Sequence, residues 1–178
     1  MDRALTFNKN IEKRCCKGLK ILGLIKRVST EFKLLAPLKA LYCAFGRSTL
    51  EYGTVIWDLY TATSRNQIER VQHKFLNYAA KVLHIEHKPH NYEPVRTLLE
   101  LSNLTDRRIA ANKIFLQKLI DGSIDCSELL SQLNFKIPCF YSRSHYPFFI
   151  PLCTTNYIRN KPLFRMMRIA NESTATPF

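Results

Sequence analysis

The sequence predicts a mainly α-helical fold: a helical bundle followed by an irregular C-terminal segment rich in proline and aromatic residues. Three observations lead to this expectation. Apolar residues recur at three- and four-residue steps through most of the first 135 positions, which is the spacing of one helix face. A content of 46% hydrophobic and 11% aromatic residues is enough to bury a core. Beyond residue 135 the periodicity fades and prolines interrupt the chain every few residues.

The first predicted helix covers residues 9–27 and combines an apolar stripe with a strongly cationic face. Asn8 precedes it, and its side-chain oxygen can accept a hydrogen bond from the unpaired amides of the first turn. Glu12 is the only acidic residue within this span. The residues predicted to bind nucleic acid are Lys13, Arg14, Lys17, Lys20, Lys26 and Arg27.

A long second helix is predicted over residues 37–60, antiparallel to a third over residues 64–83. Pro37 suits the first turn of the second helix. Gly46 and Gly53 lie seven positions apart on nearly the same face, which favours a closely approaching neighbouring helix. The side chains of this helix predicted to lie in the core include Tyr42, Phe45, Ile56 and Trp57.

Shorter elements are predicted along the remaining chain. Thr63 or Ser64 is a candidate cap for the third helix. Three further helices are predicted over residues 94–100, 105–120 and 125–134, and Asp121-Gly122 would stop the longest of them. A last short helix is predicted over residues 163–170. The irregular segment 136–160 is expected to pack through Tyr141, Tyr146, Phe148 and Phe149.

The charge of the chain is strongly positive and unevenly distributed. The formal net charge is +13. Residues 1–50 hold eleven Lys and Arg against three Asp and Glu, a net of +8, whereas residues 51–100 balance at six against six. A basic excess of this size raises the local concentration of polyanions, and it favours nucleic acid as the partner.

Cysteine usage and the lack of long apolar runs indicate the compartment. The six cysteines include no Cys-x-x-Cys pair, so buried free thiols in a reducing environment are favoured over a zinc knuckle. No apolar run approaches the roughly 18 residues of a membrane span. The first seven residues hold no apolar signal-peptide core. The sequence therefore predicts a cytoplasmic or nuclear protein without a membrane partner.

Few residue patterns suggest chemistry, and each has a simpler interpretation. His84-x-x-His87-x-x-His90 is the one metal-like spacing, but Pro89 would end a helix before the third imidazole, which favours an exposed loop. Cys15-Cys16 has no histidine close in sequence to activate a thiol. Trp57 with Tyr52 and Tyr60 could stack bases, although their helical spacing favours the core. No catalytic residue and no metal ligand is predicted.

Three segments in a fixed order carry a resemblance to a known family. They are Leu-Gly-Leu-Ile-Lys-Arg at residues 22–27, the run at residues 47–57 that ends in Trp57, and residues 68–76. Together they resemble the C-terminal part of the reverse transcriptases of Jockey-type non-LTR retrotransposons. Further segments similar to that family are Phe7-Asn8, Arg107-Arg108, residues 124–135, Asn156-Tyr157 and residues 165–171.

The resemblance implies the thumb and post-thumb region of such a polymerase. Residues 1–28 would form the palm–thumb junction with its basic helix, residues 29–135 a thumb-like helical domain, and residues 136–178 an irregular extension. In that family the catalytic aspartate pair lies upstream of these motifs, and no Asp-Asp dipeptide occurs in the 178 residues. The resemblance therefore implies no catalysis by this chain on its own.

In such polymerases the thumb grips template and primer beside the palm, where aspartates hold two metal ions. The implied partner is RNA or an RNA–DNA duplex. No cofactor is expected in this chain, since Mg²⁺ belongs to the palm of the parent polymerase family. Two alternatives stay open: the chain belongs to an active reverse transcriptase whose palm and fingers are supplied elsewhere, or it is a domesticated protein-interaction module.

Overall fold

The computed structural model describes residues 7–58, 61–137, 146–152 and 155–174, and it is mainly α-helical, as predicted. The segment 1–6 of the predicted junction lies outside the described residues, as do Tyr60 and Tyr141. A π-helical segment, Tyr42–Arg47, joins α2 to α3. The α-helices in chain order are α1 (Asn8–Val28), α2 (Leu35–Leu41), α3 (Ser48–Glu51), α4 (Thr54–Trp57), α5 (Ala62–Val82), α6 (Glu93–Leu98), α7 (Leu104–Ile120), α8 (Ser127–Leu130), α9 (Asn156–Arg159) and α10 (Pro162–Thr174).

The chain divides into two compact units, each with a hydrophobic core. Unit 1 is Met1–Gly53 with Leu59–Arg107, and unit 2 is Thr54–Asp58 with Arg108–Phe178. The core of unit 1 includes Leu22, Ile25, Leu38, Tyr42, Phe75, Leu76, Ala79, Val95 and Leu99. The core of unit 2 includes Leu116, Leu119, Leu133, Phe148, Leu163, Met166 and Met167.

Helix α1 matches the first predicted helix within one residue at each end, but the predicted cap is wrong. Asn8 is the first residue of the helix. Phe7 occupies the cap position with a φ of 55°, and no side chain caps the first turn. At the other end the backbone amide of Ser29 donates to the carbonyl of Ile25 at 2.9 Å, so the helix closes without a glycine.

The second predicted helix is interrupted, so the expectation of one continuous helix over residues 37–60 is wrong. Gly53 has a φ of 69°, a left-handed conformation that ends α3 before α4 begins. A glycine at position 46 is explained by a contact within its own helical segment and not by a closely approaching neighbouring helix. A Cβ built on Gly46 would lie 2.8 Å from the ring of Tyr42 in the same helical segment. Gly53 therefore permits a left-handed turn, and Gly46 leaves space for the ring of Tyr42.

The predicted core residues of this region are partly confirmed. Tyr42 and Trp57 are buried, at 2% and 5% exposure. Phe45 and Ile56 are 52% and 61% exposed, so those two predictions are wrong. The π-helical segment has more residues per turn than an α-helix, and the Gly53 turn starts a new helix. Apolar spacing interpreted at 3.6 residues per turn therefore assigns the wrong residues to the buried face after each of these two interruptions.

The predicted antiparallel direction of this region and α5 is confirmed. The rings of Tyr42 and Phe75 stack with centroids 4.0 Å apart, and Leu50 and Val71 meet beside Gly18. As the chain advances from residue 42 to residue 50, the neighbouring residue on α5 therefore changes from Phe75 to the earlier Val71. Helix α5 begins earlier than predicted, because its cap is Thr61, whose Oγ1 accepts from the amide of Ser64 at 3.3 Å.

Unit 2 contains α7 from Arg108 onward, together with α10 and a short extended contact. Gly122 has a φ of 73° just beyond α7, which confirms the predicted stop. Phe148 is buried and pairs with Phe135 in an antiparallel bridge, whereas Tyr146 and Phe149 are exposed, against expectation. Helix α10 is longer than the predicted 163–170, and α8 is shorter than the predicted 125–134. In the described ranges no helix is long and apolar enough to cross a membrane.

Candidate nucleic-acid interface

Helix α1 turns one face to the core and the opposite face to solvent. Ile11, Gly18, Leu22 and Ile25 are buried and recur at helical spacing, so they fix how the helix rotates against unit 1. The residues on the opposite side, here called the basic face, are Lys13, Lys17, Lys20 and Arg27, and all four are exposed. No ion pair between described residues involves the side chains of the basic face.

The other two predicted binding residues of α1 lie on its flanks. The Arg14 guanidinium is half-buried, sits 4.8 Å from the centroid of the Tyr52 ring and points Nη1 at the carbonyl of Thr49, 3.5 Å away. Lys26 places its ammonium 5.4 Å from the centroid of the Tyr78 ring. Cation–π contacts of this kind hold the two cations near the protein surface. Four of the six predicted residues therefore share one face.

Close packing at Gly18 holds α1 in this rotation. A Cβ at position 18 would lie 2.9 Å from Leu50 Cδ2 and 3.2 Å from Val71 Cγ1. Both neighbours are buried, so a side chain at position 18 would require Leu50 or Val71 to shift within the core. Further along, the hydroxyls of Ser29 and Tyr78 are 2.6 Å apart. Contacts advance together along α1 and α5, so these two helices run parallel.

A groove between α1 and α5 adds cations that the sequence did not assign to the interface. This α1–α5 groove has a volume of about 260 Å³. From α5 it receives Arg70 and Lys74, both exposed. Sequence periodicity places Arg70, Lys74 and Lys81 on one face of α5, but only the packing of the helices shows that this face borders α1. The groove is lined by Glu12, Cys15, Cys16, Leu19, Gln67, Arg70, Val71 and Lys74.

Two cysteines of α1 line the groove. Cys15 is half-buried and Cys16 is exposed. Burial raises the pKa of the Cys15 thiol, and the neighbouring Cys16 and Glu12 raise it further. A raised pKa favours the thiol over the reactive thiolate. The groove lining combines apolar side chains such as Leu19 and Val71 with the charged side chains of Glu12, Arg70 and Lys74.

The structure brings no metal-ligand cluster together around the histidines that it describes. Helix α5 ends at Val82, so His84, His87 and His90 lie beyond it in a loop, as predicted; His84 and His90 are exposed, and His87 is half-buried. His84 has a φ of 53°, in the left-handed region. Within the described ranges no group of three or more His, Cys, Asp or Glu side chains could hold a metal ion.

The paired arginines at the start of α7 are engaged in structural ion pairs. Arg107 donates from Nε and Nη2 to the two carboxylate oxygens of Glu51, at 2.5 and 3.0 Å. This hydrogen bonding raises the pKa of Arg107. Arg108 is 3% exposed, and its Nε lies 3.5 Å from Asp58 Oδ1. Both arginines therefore take part in ion pairs within the protein.

Asp58 is the centre of a buried charge cluster in unit 2. Its Oδ2 lies 3.5 Å from Arg165 Nε and accepts from Asn112 Nδ2 at 2.9 Å. Arg165 also donates from Nη2 to the carbonyl of Val55 at 2.7 Å. Burial lowers the pKa of Arg165, an effect that Asp58 opposes and Arg168 reinforces. Two buried guanidinium groups, those of Arg108 and Arg165, thus lie beside the same carboxylate.

Comparison with known proteins gives no relative. No protein-family model matches the chain, and neither a curated protein nor a solved structure matches it. The resemblance to retrotransposon reverse transcriptases accordingly depends on the sequence motifs themselves.

Proposed function

We propose that this chain is a non-catalytic nucleic-acid-binding module, similar to the thumb and post-thumb region of a Jockey-type non-LTR retrotransposon reverse transcriptase. It binds RNA or an RNA–DNA template–primer in the cytoplasm or nucleus. The observation that carries the proposal is the basic face of α1, where four exposed cations project from a helix whose other side is fixed in the core.

The chemistry of the basic face suits backbone contacts. Lysine and arginine neutralise phosphates and release condensed counterions, which gives affinity without sequence preference. A polymerase thumb needs this kind of contact because it must slide along its substrate. Arg70 and Lys74 extend the positive surface across the α1–α5 groove. Several segments that carry the resemblance also meet within each unit, as Glu51 does with Arg107, and Val55 with Arg165.

Replacing Lys17 and Lys20 with glutamine should lower affinity for both single-stranded RNA and an RNA–DNA hybrid. At about 0.1 M salt, loss of two phosphate contacts corresponds to a decrease of at least about tenfold. Both side chains are exposed, so the circular dichroism spectrum and the thermal midpoint should not change. Fluorescence anisotropy with labelled oligonucleotides measures the affinity.

The matched control is Lys113→Gln with Lys118→Gln on the exposed surface of α7, which removes the same charge elsewhere. This control should bind within about twofold of the wild type. Equal losses in the two double variants would show that overall charge, and not the basic face, determines binding.

The purified chain should not extend a primer. With template–primer, Mg²⁺ and deoxynucleotides, we expect no product above a reaction without protein, because the sequence holds no aspartate pair for two-metal catalysis. Denaturing gel electrophoresis of a labelled primer gives the readout. Extension that co-purifies with the chain would reject the non-catalytic assignment.

A further inference from the structure

Three aromatic side chains, from α5 and the segment that follows it, contact one another. Four of the five histidines of the chain lie between residues 73 and 90. The rings of His73 and Tyr92 stack with centroids 4.9 Å apart and an angle of 23°. The His87 ring lies 5.3 Å from the same tyrosine, tilted by 45°. We call these three residues the ring cluster.

The ring cluster is accessible from outside. His73 is exposed, and Tyr92 and His87 are half-buried. His87 also lines an open hollow of about 590 Å³ at the C-terminal end of α5. Lys81 and His84 line the same hollow. The rings therefore have faces that a planar ligand can reach.

The loop that presents His87 has an unusual backbone. His84 and His90 have φ values of 53° and 63°, in the left-handed region that few residues other than glycine adopt. His84 directly follows the cap of α5, a position where a left-handed residue commonly ends a helix. The loop is held at its start by the amide of Ile85, which donates to the carbonyl of Ala80 at 2.9 Å.

Cations lie next to the rings along α5. Arg70, Lys74 and Lys81 are exposed and recur on one helical face. His73 is adjacent to Lys74 in the chain, and Lys81 is in the hollow with His87. The row runs from the α1–α5 groove to the hollow. Aromatic rings beside a line of cations are the arrangement with which proteins bind single-stranded nucleic acid.

We propose that His73, His87 and Tyr92 form a stacking platform for unpaired bases of single-stranded nucleic acid, with its phosphates along Arg70, Lys74 and Lys81. The proposal rests on the proposed function and adds a substrate form to it. Bases within a duplex already stack on one another, so only unpaired nucleotides can use the platform. The basic face of α1, in contrast, binds phosphates of either form.

The test compares two double variants of the full chain. His73→Ala with His87→Ala removes two rings, whereas His73→Phe with His87→Phe keeps flat rings and removes imidazole hydrogen bonding and charge. The probes are a 12-nucleotide single-stranded RNA carrying 2-aminopurine and an RNA–DNA hybrid of the same length. Circular dichroism confirms that both variants fold.

The alanine variant should lose about tenfold in affinity for the single strand, as expected for one stacked base, and should bind the hybrid within about twofold of wild type. The phenylalanine variant should retain single-strand affinity and the quenching of 2-aminopurine. Equal loss on both probes, no loss, or loss in the phenylalanine variant would overturn the platform. A wild-type chain that binds only the hybrid would also overturn it while leaving the proposed function intact, and binding of neither probe would reject both.

Discussion

Replacing Asp58 with asparagine is expected to destabilise the protein by about 3–5 kcal/mol, the usual cost of removing one partner from a buried ion pair. The Asp58 side chain is 11% exposed, and those of Arg108 and Arg165 are 3% and 11% exposed. Asparagine keeps an oxygen that can accept from Asn112 but removes the carboxylate that the two arginines share. Chemical denaturation should show a much lower midpoint.

The matched control for Asp58 is Asp125→Asn. Asp125 is exposed, so the same chemical change there should alter the free energy of unfolding by less than about 0.5 kcal/mol. If the two variants had equal stability, the buried cluster would have no structural importance.

Gly18→Ala and Gly23→Ala should change stability in opposite directions although both lie within α1. At position 18 the new methyl group would meet buried Leu50 and Val71, and overpacking of this kind costs roughly 1–3 kcal/mol. At position 23 no atom lies within 4 Å of the new Cβ. Alanine there should stabilise the helix by about 0.5–1 kcal/mol.

Thermal or denaturant unfolding of the two glycine variants gives the comparison. The helix-propensity gain is common to both positions, so the difference between them isolates the contact with Leu50 and Val71. A stable Gly18→Ala variant would mean that α1 is not held where the structure places it, and the orientation of the basic face would then be in doubt.

The elements that sequence predicts well are those with an uninterrupted helical period. Helices α1, α5 and α7 lie within two residues of their expected bounds. Helices α1 and α5 each bury a mainly apolar face of regular helical period. Helix α7 buries Arg108 and Asn112 as well as leucines, and Gly122 marks its end. Sequence predicts the buried face of residues 42–57 less accurately, because a π-helical segment and the turn at Gly53 both interrupt the regular spacing of an α-helix. Exposure of Phe45 and Ile56 follows from these interruptions.

The candidate site likewise contains some residues that sequence periodicity predicts and others that only tertiary packing brings together. Lys13, Lys17, Lys20 and Arg27 follow from the period of one helix, and the structure places them together on its exposed face. Arg70 and Lys74 belong to a separate helix, and their position across the groove depends on tertiary packing at Gly18. The contact between His73 and Tyr92 also joins residues far apart in sequence. No local pattern predicts such contacts.

The salt dependence of wild-type affinity for an RNA–DNA hybrid tests the central claim most directly. If the four side chains of the basic face each neutralise one phosphate, the slope of log affinity against log salt concentration should be near −3, from roughly 0.7 to 0.9 per contact. The Lys17→Gln, Lys20→Gln variant should give a slope closer to about −1.5. Affinity independent of salt, or the same slope in wild type and variant, would contradict binding through the basic face of α1.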